Sequence, residues 1–217
     1  WNKSDNFMKN SKSHQSRSAN DGIETVRNLY ILLQTGFHDL PEYMPAKHVI
    51  HSYRCESLQF ENGEIKYVQT GTCIGKMGTE LAHTHSLENS TKGRFAEYRG
   101  QICYKKKYLM KLPFVTKVRS NSARRECTPF PVFTNYSDYN NYYSIYWPTS
   151  LTTLVAHESA HLAVPCSVPL NKEMERHSHE FWVRYRQHQE FFRQCEVAGM
   201  LDHCIVGKNF PLDYSLL

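Results

Sequence analysis

The chain of 217 residues has no run of about 18 uninterrupted apolar residues, the least that a membrane-spanning helix needs. Its first twenty residues are polar and basic, unlike a secretory leader, so a soluble protein without membrane association is expected. C-x-x-C pairs are also missing. The seven cysteines, Cys55, Cys73, Cys103, Cys127, Cys166, Cys195 and Cys204, are odd in number and widely spread, which fits neither a disulfide framework nor a zinc ribbon. Reduced thiols in an intracellular protein are the expectation. No internal repeat is present, which sets aside solenoids and propellers. The first residue is Trp1 and not Met, so we expect an upstream piece that was processed away or left out. A large charge excess is lacking too: 26 Lys+Arg stand against 21 Asp+Glu, a net +5 that favours an anionic partner without requiring one.

What is present suffices for one core. The hydrophobic share of 40% includes 13% aromatic residues, while a mean hydropathy of −0.60 leaves much of the chain solvated. At this length two full domains are not expected. Residues 1–20, rich in Asn, Ser and Lys, read as a flexible polar tail because they cannot bury enough surface to offset chain entropy. Residues 21–217 then form a single domain.

Periodicity predicts the elements. Ile23, Val26, Tyr30 and Leu33 recur at helical spacing before Gly36, giving a first helix over about 22–35. Leu58 and Phe60, then Asn62-Gly63, then Ile65 and Tyr67 signal a hairpin, with strands near 48–61 and 64–70. Residues 71–93 read as a long loop, and 94–104 and 111–119 as further strands. The run Lys105-Lys106-Lys107 reads as solvated surface. Tyr136, Tyr139, Tyr142, Tyr143 and Tyr146 belong to an aromatic segment that ends in a strand at 142–147, and read as sheet surface. A helix follows from Ser150 to about Val164, where Pro165 stops it, and a last helix spans about 175–198 before Gly199.

The segment Leu151–Val164 carries the chemistry, for it contains His157-Glu158-Ser159-Ala160-His161. A spacing of four residues puts the two imidazoles about 40° apart on one helical face, one turn apart in height. Both can then reach a single tetrahedral zinc ion. Glu158 lies beside them, about 60° from His161, where a carboxylate can take a proton from an activated water. Random order at this composition yields an H-E-x-x-H about once in twenty sequences, so the motif alone does not decide. Its surroundings do more: the rest of the helix is apolar or small, and burying three ionisable groups together is costly unless they serve as partners or ligands.

A zinc of this kind needs a third protein ligand. Candidates stand in His177-Ser178-His179-Glu180-Phe181, beginning sixteen residues past His161, at the start of the last helix pattern. Together the two segments resemble the SprT-like zinc metallopeptidases, small zincins with H-E-x-x-H, a loop, then H-G-x-x-F, here with Ser178 in place of the glycine. The resemblance implies zinc held by His157, His161 and His177, with Glu158 as catalytic base and Phe181 packing one helix on the other. It implies an α+β, minigluzincin-like fold: a leading helix, a small antiparallel sheet with a hairpin, the H-E-x-x-H helix and a second metal-bearing helix. A helix starting near residue 175 would set His177 on the face of Phe181 and His179 about 200° away. If it begins only at Phe181, either histidine could reach the metal. His83 and His85 form an H-x-H read as a chance pair, and His188 is read as a packing residue.

The leading expectation is a zinc-dependent endopeptidase acting on a protein or peptide substrate. The alternative is a zincin-fold structural or nucleic-acid-associated component of a virion or ribonucleoprotein. A DNA or nucleoprotein association is compatible with the mild positive charge, and a cytoplasmic, nuclear or nucleoid location with the thiols.

Overall fold

Ser18 starts the first helix: its hydroxyl accepts the Asp21 N–H, an N-cap that places the helix α1 at Ala19–Gly36. In this computed structural model, residues 17–71, 80–87, 98–115, 148–164, 166 and 176–207 are described. The first helix and its cap therefore reach into the expected tail. Arg17 is buried, its guanidinium donating to the carbonyls of Leu109 and Leu112, while residues 1–16 lie outside the described ones. The predicted face of α1 is the buried one, and Ile23, Val26, Leu29, Tyr30 and Leu33 all enter the core.

The expected strand 48–61 is two strands in different sheets: β1 (His48–Ile50) and β2 (Tyr53–Gln59). β2 pairs antiparallel with β3 (Ile65–Gly71), from Tyr53 opposite Gly71 to Gln59 opposite Ile65, so the hairpin is present. Its turn is longer than the Asn62-Gly63 pair. Gly63 N–H bonds to the Phe60 carbonyl, and Gly63 takes φ 81°, a conformation nearly strain-free only without a Cβ.

β1 belongs to a three-stranded sheet of order β1-β5-β4, made with β4 (Ala82–Thr84) and β5 (Ile102–Tyr104). Two expectations are corrected here. Residues 71–93 are not loop throughout, because β4 lies within them, and the sheet is not purely antiparallel, because β1 and β5 run parallel. Both features rest on pairing between distant segments, which local pattern does not encode. Within the described part of the expected strand 94–104, residues 98–104, only Ile102–Tyr104 form a strand, β5. The expected strand 111–119 is also absent from its described part: Lys106–Lys111 form the helix α2, and no strand follows through residue 115. Lys106 and Lys107 are exposed, as a solvated run should be. The aromatic segment 136–147, with its expected strand 142–147, lies outside the described residues.

Two further helices complete the frame, α3 (Leu151–Ala163) and α4 (His179–Val197). Ser150 and Thr153 form a reciprocal capping box at the start of α3, each satisfying a backbone N–H that the helix cannot. α3 is buried from Leu151 to Leu162 except at Thr153, between α1, α4 and β4. α4 begins at His179 with Ser178 as its cap, four residues later than expected, so His177 precedes the helix. Tyr30, Leu33, Leu151, Val155, Phe181, Trp182 and Tyr185 fill the shared core. The described residues thus form a mixed α and β fold. No helix among them is long and apolar enough to cross a membrane.

Candidate metal centre

Helical spacing on α3 brings His157 and His161 to one face, their ring centroids 5.0 Å apart. The third histidine arrives from the turn before α4. The His177 ring stands 5.2 Å from that of His157 and 4.8 Å from that of His161. One nitrogen of each lies within 4.8 Å of the others, and all three side chains are buried. Phe181 closes the group, its ring stacked on His161 at 4.3 Å and edge-on to His157 and His177. The helix geometry expected at residue 177 is not how His177 gets there. Ser178 caps α4 by accepting the Phe181 N–H, which seats the residue before the cap over the N-terminal turn. His179 is exposed at the first helical position and outside the cluster.

Glu158 sets the chemistry of its neighbour. Its Oε1 lies 3.1 Å from His157 Nδ1, and its Oε2 accepts from the Thr84 hydroxyl at 2.7 Å. An ionised carboxylate only accepts, so His157 Nδ1 donates to it and Nε2 is the nitrogen left for a metal. That Nε2 is 3.2 Å from His177 Nε2. Two nitrogens bound at 2.0–2.1 Å to a tetrahedral zinc stand about 3.3–3.4 Å apart, so this pair already has the separation of one coordination edge. The donor set fits such an ion.

The charges agree. Burial alone would raise the Glu158 pKa, but the hydrogen bond and charge of His157, the Thr84 hydroxyl and the nearby His83 together hold it below its usual value. His161 is driven well below its ordinary value, first by burial, then by His177, His157 and Arg176. It is therefore neutral, as a ligand must be. Arg176 ties the His177 turn to the sheet by donating to the Thr84 carbonyl at 3.2 Å.

No family model, curated protein or solved structure matches the chain. What the centre can do must therefore be argued from its own residues. His157, Glu158, His161 and His177, all singled out from the sequence, are gathered in one buried place. His188 is not among them; its Nδ1 donates to the Ala156 carbonyl at 3.1 Å in the adjoining core. Thr84 and Tyr185 were passed over. The Tyr185 ring packs edge-on to His157 at 5.2 Å, and its hydroxyl pKa is pushed up by burial and by Glu158. Only the strand alternation that sets Thr84 opposite to His83 and His85 could have pointed to Thr84, and it required seeing β4.

Proposed function

We propose that the chain is a zinc-dependent metalloendopeptidase of the SprT-like kind, with a minigluzincin-like arrangement of α1, the sheet, α3 and α4. The observation that carries this is the convergence of His157, His161 and His177 into one buried set at coordination spacing, with a carboxylate beside it. His157, His161 and His177 would hold the metal. A bound zinc supplies a Lewis acid for the scissile carbonyl and lowers the pKa of water.

Glu158 is the general base. Each carboxylate oxygen accepts two hydrogen bonds at least, so His157 and Thr84 leave it lone pairs for the proton of the attacking water. That proton passes to the leaving amine, breaking the peptide bond with no net change in the enzyme. Its lowered pKa keeps Glu158 ionised at neutral pH.

One observation favours a second reading. Glu158 is 3% exposed, and both oxygens meet groups of the protein itself, the placement of a carboxylate that orients a ligand histidine. On that reading the chain is a metal-bearing component without turnover. Casein hydrolysis and zinc content of wild type, Glu158→Gln and His157→Ala decide between them. A peptidase loses hydrolysis but keeps zinc in Glu158→Gln, and loses hydrolysis and one zinc equivalent in His157→Ala. Absence of hydrolysis in wild type, together with loss of one zinc equivalent in His157→Ala, establishes the second reading. Equal zinc in wild type and His157→Ala overturns both.

A further inference from the structure

Strand β4 presents polar side chains on both faces. Alternation along the strand turns Thr84 to the Glu158 carboxylate, and so turns His83 and His85 the other way. The pairing with β5 continues one residue past β4, where the His85 N–H bonds to the Gln101 carbonyl at 2.8 Å. On β5, Cys103 stands directly opposite His83, so its thiol shares their face. One atom each of His83, His85 and Cys103 lies within 4.8 Å of the other two, and Cys103 Sγ is 3.8 Å from His85 Nε2. The thiol is not in a disulfide.

We propose that His83, His85 and Cys103 form a second metal site, for a thiophilic cation of the zinc class, on the face of β4 away from His157. Its donor chemistry selects the ion: two imidazoles and a sulfur, with no carboxylate in the set, suit zinc and its softer neighbours and not calcium or magnesium. Its spacing suits it too. A sulfur at about 2.3 Å and a nitrogen at about 2.05 Å from a tetrahedral ion stand about 3.6 Å apart. His51 borders this set without belonging to it. It follows β1, its N–H bonds to the Tyr104 carbonyl at 2.8 Å, and its ring meets that of His83 at 5.6 Å. Cys103 is buried while the histidines are half-buried, which leaves an approach from solvent. A cation there would cross-link β4 to β5 and thereby hold Thr84 against Glu158. The site stands independently of the peptidase reading.

Sulfur makes the two centres distinguishable, because the His157 set contains none. Full-length protein titrated with cobalt(II), a spectroscopic substitute for zinc, should develop a near-ultraviolet thiolate-to-cobalt charge-transfer band that zinc bleaches. The band should persist in a His157→Ala/His161→Ala variant and disappear in Cys103→Ser and in His83→Ala/His85→Ala. X-ray absorption of wild type loaded with two zinc equivalents, which requires no variant to fold, should show a sulfur shell at about 2.3 Å. Cobalt bound without the band, a band surviving Cys103→Ser, or a first shell of nitrogen and oxygen alone would each overturn the site. Loss of the band with peptidase activity intact fails this proposal only; absence of peptidase activity with the band intact fails only the other.

Discussion

Thr84 stands between two groups of histidines, one on each face of its strand, and its hydroxyl can donate only one proton. The Glu158 carboxylate, at 2.7 Å, is a better acceptor than the Glu158 carbonyl at 3.1 Å. Thr84→Val keeps the shape and removes the donor, leaving a buried carboxylate with one partner fewer. At neutral pH the variant should lose about 1.5–3 kcal/mol of stability, as expected for a hydrogen bond to a charged group. Glu158 has a depressed pKa when folded, so its contribution is present above the unfolded carboxylate pKa and is lost as pH falls through the folded value. The deficit of Thr84→Val should therefore shrink on acidification, which urea midpoints on chelator-treated protein would show. At this scale the sequence was unevenly informative. The H-E-x-x-H is local, so helical geometry was enough to read it. Thr84, 74 residues from Glu158, reaches it only through the fold.

Helices were the legible elements, since apolar periodicity and caps lie within a single segment: Ile23 to Leu33 marked α1, and Ser150 with Pro165 bounded α3. Strands of three residues were not. His83 and Thr84 in β4 have the composition of a loop, and only pairing with Ile102–Tyr104 makes them a strand. The start of α4 was misplaced because Ser178, read as a glycine replacement, acts as a cap. Packing between elements offers its own test at Gly22, where α1 meets α2. A Cβ there would lie 2.5 Å from the Leu109 carbonyl oxygen, which is backbone and cannot swing aside. Gly22→Ala should gain up to about 1 kcal/mol in helix propensity yet be destabilised overall, by about 1–3 kcal/mol, because the helices must separate. Ser150→Ala should cost about 1 kcal/mol from the loss of its cap. Thermal or urea unfolding measures both, and a stabilised Gly22→Ala would contradict the close approach of α1 to α2.

Across the whole molecule, neutral histidines are built into the core, and this makes the protein sensitive to mild acid. His48 is pushed down to about 4, first by burial and then by Arg27; its ring packs 4.3 Å from Tyr30, and its Nδ1 has no hydrogen-bond partner. His188 is also held at about 4, by burial against the raising effect of its bond to Ala156. Both are bases whose folded pKa lies below the unfolded 6.5. Between those values the unfolded chain binds more protons than the folded one, so stability rises with pH. Their full contribution is present above about 6.5 and is lost progressively down to about 4, of order 3 kcal/mol for each site. Paired carboxylates such as Asp39, kept low by Arg184, give way only further down, so the fall from pH 6.5 to 5 belongs to the histidines. Urea midpoints at pH 7.5, 6.5, 5.5 and 5, measured with chelator present, should decline across that window. His48→Leu removes a titrating group while keeping an apolar filler, so its decline should be shallower than that of wild type. Midpoints that stay level to pH 5, or that fall as steeply in the variant, would show that His48 is charged in the folded core.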